Sequence, residues 1–398
     1  MALDFALSEE QQAIRQTTRD LFAPFAKDAA RWRERILENK EFPQEIWDAL
    51  AGAGFLGCLI PESYGGNEMG LLPLAFAVEE MTTLGFANPI LVLTTMDALC
   101  MVRTASEETK QHFLPRIATG ELKLAFALTE ADAGTNTFRI TTSAREEDDG
   151  FVLDGSKTFI TGADVADAML VVARTMSRKE CEAQGLPKSY GLSLFIVPTD
   201  APGLRKDLLP TGGIEGMNQW TLFFEDVKVP RINLVGDLHG GAMALFMALN
   251  PERILASAIA VGASEYALRL ACDYARNRKV FRDTPIGAHQ AIQHPLAEVK
   301  IRQEAARTMT YKAAWALDAG LPPGEAGFYA NCAKFLASEL GVQATDRAIQ
   351  TLGGNGFSKE FGLLHLWTNL RLLKTAPISN EMILNYVAEH TLELPRSY

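Results

Sequence analysis

The chain has 398 residues, 47% of them hydrophobic, enough to bury a large core divided over two or three domains. A net charge of −11 and a pI near 5.2 exclude the basic surface that a phosphate backbone demands, so no nucleic-acid partner is expected. Five cysteines without a C-x-x-C spacing, and six histidines whose closest pair is His289 and His294, point to neither a disulfide framework nor a metal site.

The opening MALDFALSEEQQ carries acids where a signal peptide would be basic and lacks an apolar core, so a cytoplasmic protein is expected. Residues 7–120 read as helices: Ser8 before Glu9 and Glu10 is a capped start, and Phe42 to Leu50 has amphipathic spacing after Pro43. Gly52, Gly54 and Gly57 in GAGFLG spell G-x-G-x-x-G. That dinucleotide motif needs a strand before it and a helix after it, whereas here a helix ends and Ile60-Pro61 follows, so a glycine-rich helix stop is predicted. From about 124 to 234 the texture turns to β-type runs, AFALT, GFVLDGSKTFITG, AMLVVART, GLSLFIVP and TLFFEDVKVP, with Asp154-Gly155 as a hairpin turn.

After Gly240 and Gly241 helical spacing returns at Leu255, Ile259, Gly262, Tyr266, Leu270 and Tyr274, and the small residues after Glu252 suit close packing inside a bundle. The apolar stretch from Leu245 to Gly262 is broken by Asn250, Pro251, Glu252 and Arg253, so no membrane insertion is expected. The expected fold is α+β and mainly α: a helical domain over 1–123, a small antiparallel β domain over 124–238 and a C-terminal helical bundle over 239–398.

Several segments, in order along nearly the whole chain, resemble the acyl-CoA dehydrogenase family: DFALSEEQQAIRQTTRD, GFLGCLIPESYGG, FALTEADAGTN, KTFITG, FFEDVKVP, RNRKVF with a downstream HQAIQ, and QTLGGNGF. The resemblance implies a C-terminal four-helix bundle, with FAD as cofactor, an acyl-CoA substrate, an electron-transfer flavoprotein as acceptor, and a homotetramer built as a pair of dimers. In FALTEADAGTN a glycine lets backbone approach a ligand and two hydroxyls add donors, although a plain strand and turn would read the same way. The resemblance assigns Phe126, Leu128, Thr129, Gly134 and Thr135 to the flavin, with Thr135 also toward substrate. In KTFITG, Phe159 stands where a tryptophan is frequent against the flavin ring, and Thr161 matches the hydroxyl that bonds flavin N5.

Arg278 resembles an arginine that reaches the FAD diphosphate of a neighbouring subunit, which suits a guanidinium, while an exposed helix-end arginine is the bland alternative. Phe281 and Gln290 match the aromatic and amide that follow, but Arg282 replaces a usual glycine and the spacing to Gln290 is one residue longer, so a rearranged loop is expected. Gln350, Gly353 and Gly354 match a backbone contact to the nucleotide from the partner chain, and Ser379 and Glu381 join the cofactor set.

Removing an α-proton from a thioester requires a positioned carboxylate. Most of the family places a Glu near the C-terminus, where this chain has Ala376 and Pro377. A minority, resembling isovaleryl- and long-chain acyl-CoA dehydrogenases, carries it directly before a helix arginine, and ALNPERIL puts Glu252 there, with Asn250 and Arg253 toward the CoA moiety. A second reading is structural: Asn250 as N-cap, Pro251 as first helical residue, Glu252 as a dipole-favoured acid. Pro377 also lacks the N–H that would polarise a thioester carbonyl, leaving a neighbouring amide such as that of Ile378. The expected reaction is α,β-dehydrogenation of an acyl-CoA to the 2-enoyl-CoA. The alternatives are a flavin monooxygenase or oxidase on the same fold, and a non-catalytic acyl-CoA binding protein.

Overall fold

The computed structural model describes residues 6–212 and 217–397. Asp4 and Phe5 of the opening segment lie outside them. Two compact units emerge, one formed by residues 1–41, 69–87 and 253–398, the other by 42–68 and 88–252.

The first unit contains α1 (Glu9–Ala26) and α2 (Ala29–Arg33). The predicted cap is present: Ser8 accepts from the Gln11 N–H, and Gln11 returns a bond to the Ser8 N–H. α4 (Leu71–Thr82) belongs to the same unit, while α3 (Gln44–Gly52), α5 (Pro89–Thr104) and α6 (Glu107–Ala118) belong to the second. After α3 the chain turns at Gly54, whose φ of +80° is left-handed and whose carbonyl accepts from Asn67 Nδ2 at 2.9 Å, so GAGFLG is a helix stop.

The sheet belongs to the second unit. Its strands are β1 (Leu124–Ala127), β2 (Ser143–Glu147), β3 (Gly150–Thr161), β4 (Ala168–Arg174), β5 (Leu192–Pro198), β6 (Leu204–Leu209), β7 (Gln219–Pro230) and β8 (Leu234–Val235). They run in the order β6-β7-β3-β2-β4-β5-β8, and β1 lies beside β4 in parallel. The other long pairings are antiparallel. β4 is buried at every residue, because Met169, Val171 and Ala173 enter one apolar cluster while Ala168, Leu170 and Val172 enter another with α5 and α6. The strands unseen in the sequence, β2 and β6, read SAREE and LRKDLL: exposed charges leave no apolar alternation to find.

Asp154-Gly155 is not the hairpin turn that the sequence predicts. β3 runs straight through it, and the turn joining β2 to β3 falls at Asp148-Asp149. At Gly155, φ is +142°, the register with β7 shifts, and a Cβ would sit 2.7 Å from Thr142 Cα; the glycine marks a bulge. Asp154 Oδ1 accepts from the Asp226 N–H at 2.9 Å, which braces that bulge.

After the short α7 (Arg178–Ala183) the chain enters α8 (Gly241–Asn277), followed by α9 (Gln290–Asp318), α10 (Pro323–Leu352), α11 (Leu363–Leu372) and α12 (Asn380–His390). α8 through α11 close on a cluster of Val261, Tyr266, Ala267, Val299, Leu340, Leu366 and Leu370. An 18-residue window of α8 reaches a mean hydropathy of 1.4 despite its charges, so the sequence expectation that nothing there is apolar enough to span a membrane is corrected; most of the window is buried within the protein, as in a core helix.

Candidate active site

On β1 and its extension, Phe126 and Leu128 pack half-buried on the cluster beneath α5, while Thr129 is half-buried and Gly134 and Thr135 are exposed. The loop carrying them is pinned from behind. Lys157, fully buried on β3, donates to the Leu128 carbonyl and to Glu130 Oε1, both at 2.9 Å. Glu130 also accepts from the Thr141 N–H and hydroxyl and from the Thr142 N–H. Burial opposes a charge on Glu130, but Lys157 and these donors prevail and hold its carboxyl at about 2. Sequence reasoning missed both residues as a pair, although each lies inside a quoted segment; only the register of β3 beside the loop brings them together.

Phe159 has a left-handed φ of +56° and is 59% exposed, an aromatic ring turned outward between the buried Lys157 and Ile160. Two residues on, the half-buried Thr161 hydroxyl donates to Gln219 Oε1 at 3.0 Å. Gly134, Gly353 and Gly354 all border open space where a Cβ would touch nothing within 4 Å. An outward aromatic, hydroxyls beside it and open glycine backbone fit a broad, flat group with polar edges, so the residues present fit FAD.

In the helical unit, Arg278 follows the last residue of α8 and is exposed, with no ion-pair partner among the described residues. The loop after it closes on itself through Ile286 N–H to Arg278 carbonyl at 2.8 Å and Val280 N–H to Thr284 carbonyl at 3.2 Å, and leaves Phe281 84% exposed. The Arg282 side chain lies outside the described set. Gln290 is the exposed first residue of α9. Gln350 sits in the last turn of α10, where its carbonyl accepts from the Gly353 N–H, and Asn355 just beyond donates to the Tyr274 hydroxyl at 3.3 Å, tying this turn to the end of α8.

Ser379 is the N-cap of α12 and accepts from the Met382 N–H, while Glu381 stands exposed in its first turn, its carboxyl lowered by backbone hydrogen bonding and by the Ser379 side chain. The preceding segment is lashed to α10: Lys334 Nζ donates to the Ile378 carbonyl and Asn380 Oδ1, and Asn380 Nδ2 donates to Glu339. Burial, then the nearby Arg253 charge, bring Lys334 down to about 8. The Arg253 charge thus acts on the lysine that is tied to Ile378, the residue after Pro377.

Glu252 is not in the first turn of a helix. α8 begins at Gly241 and carries Pro251 in its interior, so Asn250 is no N-cap and the capping reading of this triplet is overturned. Asn250, Glu252 and Arg253 are all half-buried. A mid-helix acid gains little from the helix dipole, whose influence fades after the first turn.

The helix, sheet and helix order and these residues fit the class of oxidoreductases that use a flavin. Family profiles described as the N-terminal, middle and C-terminal domains of acyl-CoA dehydrogenase match residues 8–121, 125–227 and 239–392. Acyl-CoA dehydrogenase FadE12 of Mycobacterium tuberculosis is 40% identical over 395 residues, covering 99% of each chain. The solved butyryl-CoA dehydrogenase of Megasphaera elsdenii superposes with a TM-score of 0.87 at 30% identity, over 98% of this chain and 100% of the other. The FAD complex of PigA superposes with a TM-score of 0.85 at 27% identity, over 98% and 100%. The chain belongs to the acyl-CoA dehydrogenase family: it is an oxidoreductase acting on CH–CH bonds, with FAD as its cofactor.

Proposed function

We propose that the protein oxidises an acyl-CoA to its 2-enoyl-CoA with Glu252 as the base, passes the electrons to an electron-transfer flavoprotein, and works as a homotetramer in which 1–123, 124–238 and 239–398 are the domains. The observation that carries this reading is the half-buried Glu252 in the middle of α8, beside Arg253, in a chain with Ala376 and Pro377 at the usual base position. When bound, FAD supplies the acceptor for the hydride that leaves the β-carbon. Glu252 takes the α-proton, as a positioned carboxylate can. Arg253 and Asn250 hold the CoA moiety, Arg253 by charge and Asn250 by its amide. Phe159 and Thr161 seat the ring, the hydroxyl turning from Gln219 to do so. Arg278, Phe281 and Gln290, with Gln350, Gly353 and Gly354, bind the nucleotide half in a neighbouring subunit, and Ser379 and Glu381 lie close to it.

Pro377 favours one second reading, an oxidase or monooxygenase on the same fold, since it lacks the amide that would polarise a thioester carbonyl. Anaerobic titration of the purified yellow protein with a panel of acyl-CoAs, followed by admission of air, separates the two. Bleaching by a thioester with slow reoxidation supports the dehydrogenase. Rapid reoxidation, or no bleaching by any acyl-CoA, rejects it.

A further inference from the structure

Asp97 lies on α5, 0% exposed, and neither of its carboxylate oxygens meets a hydrogen-bond donor among the described residues. Leaving a buried polar group unsatisfied costs a few kcal/mol, and a charge left so costs more. On α5 the positions 93, 97, 100 and 101 share a face, and Leu93, Cys100 and Met101 all pack in the cluster that contains Ala242, Ala244, Leu245 and Leu249 of α8. On α8, Leu245, Leu249 and Glu252 follow at spacings of four and three, so Glu252 continues the face that meets α5. Two carboxyl groups thus face each other at the edge of one apolar cluster.

We propose that Asp97 and Glu252 form a carboxyl pair that shares one proton between α5 and α8, in which Asp97 is a positioning residue that confines the negative charge to Glu252. The inference rests on Glu252 being the base. Two carboxylates this close in an apolar setting do not both ionise, and the proton settles on the one with less solvent and fewer donors. Asp97 has neither, and burial first, then the Glu252 charge, push its carboxyl well above the ordinary range. The other groups bearing on it do not offset this. Cys100, one turn along, has its thiol pushed up to about 12 by burial, and Arg103 acts on that thiol. The packed strands β1 and β8 read LAFA and LV, and α6 turns Thr109, Phe113, Leu114 and Ile117 into the core while its titratable side chains are half-buried or exposed. At neutral pH the pair holds one proton and one charge; taking the substrate α-proton fills it with two.

Infrared difference spectroscopy across pH on the FAD-loaded protein tests the pair directly, since an un-ionised carboxylic acid has its own C=O stretch. At neutral pH the wild type shows this band, Asp97→Asn loses it, and Glu252→Gln keeps it but titrates it at lower pH because the like charge is gone. Absence of the band in the wild type, its survival in Asp97→Asn, or an unchanged titration in Glu252→Gln overturns the pair. In single-turnover flavin reduction, Asp97→Asn keeps the lower step of the pH profile and loses the upper; retention of both steps likewise rejects it. Should Glu252→Gln still reduce flavin at the wild-type rate, the base assignment fails while the infrared titration judges the pair separately.

Discussion

Glu252→Gln keeps the shape of the side chain but cannot accept a proton. It should lower single-turnover flavin reduction by at least about 100- to 10,000-fold, with FAD content unchanged. Complete loss of reduction in Glu381→Gln alone would instead move the base to the C-terminal segment. The mid-helix position of Glu252 sharpens this test, because a capping role would have spared the rate and cost only stability. Glu130 and Lys157 make a second residue-scale test. With its folded carboxyl held at about 2, below the ordinary 4.5, Glu130 binds its proton more weakly in the folded than in the unfolded chain. Its contribution to stability is therefore full above about pH 4.5 and is lost as the pH falls through about 2. Lys157→Met strands the buried Glu130 and should cost on the order of 3–5 kcal/mol in denaturant unfolding at pH 7. Lys157→Met should also flatten the acid limb of the stability profile; a limb as steep as that of the wild type would remove Lys157 from the account.

At the scale of elements, α8 and α4 approach closely at Gly262, where a Cβ would lie 2.0 Å from Thr82 Oγ1 and 2.2 Å from the Glu79 carbonyl. The carbonyl belongs to a helix backbone and cannot step aside. Gly262→Ala should therefore lose about 1–3 kcal/mol or more in denaturant unfolding, against the gain in helix propensity that alanine brings elsewhere. An alanine variant as stable as the wild type would show that α4 yields. The same scale explains which elements could be read in advance. β4 and β5 announce themselves by apolar content, whereas β2 and β6 carry mostly charge outward. Asp154-Gly155 has the composition of a turn, yet β7 supplies a partner long enough to carry the ladder past it with a bulge.

For the whole molecule, the proposed assembly ties cofactor to quaternary structure. Arg278 is exposed just beyond the end of α8, with no ion-pair partner among the described residues, which leaves its guanidinium open to an anion. Arg278→Ala should reduce FAD affinity by about ten- to a hundredfold, the worth of one charge-assisted bond of roughly 1.5–3 kcal/mol. Bound flavin per chain measures this after gel filtration, and the apparent Tm should fall with FAD content, because a ligand that binds only the folded state stabilises it by mass action. Unchanged FAD content in the variant, or a strictly monomeric wild type with full flavin, would reject the contact across subunits.

By itself the sequence determined the order of helical, β and helical parts and the family, because apolar periodicity and short motifs are local properties that survive without a partner. It also pointed to Glu252 and to the flavin-loop segments, since these sit in contiguous strings such as ALNPERIL and FALTEADAGTN. Only the tertiary structure decided that Pro251 lies inside a helix rather than at its start, because Gly241, ten residues earlier, begins a helix whose packing outweighs the proline. It alone joined Glu130 to Lys157 and brought the Glu252 charge to bear on the buried Asp97. Residues 27 and 155 positions apart in the chain meet through strand register and helix packing, and no spacing within a single element encodes that distance.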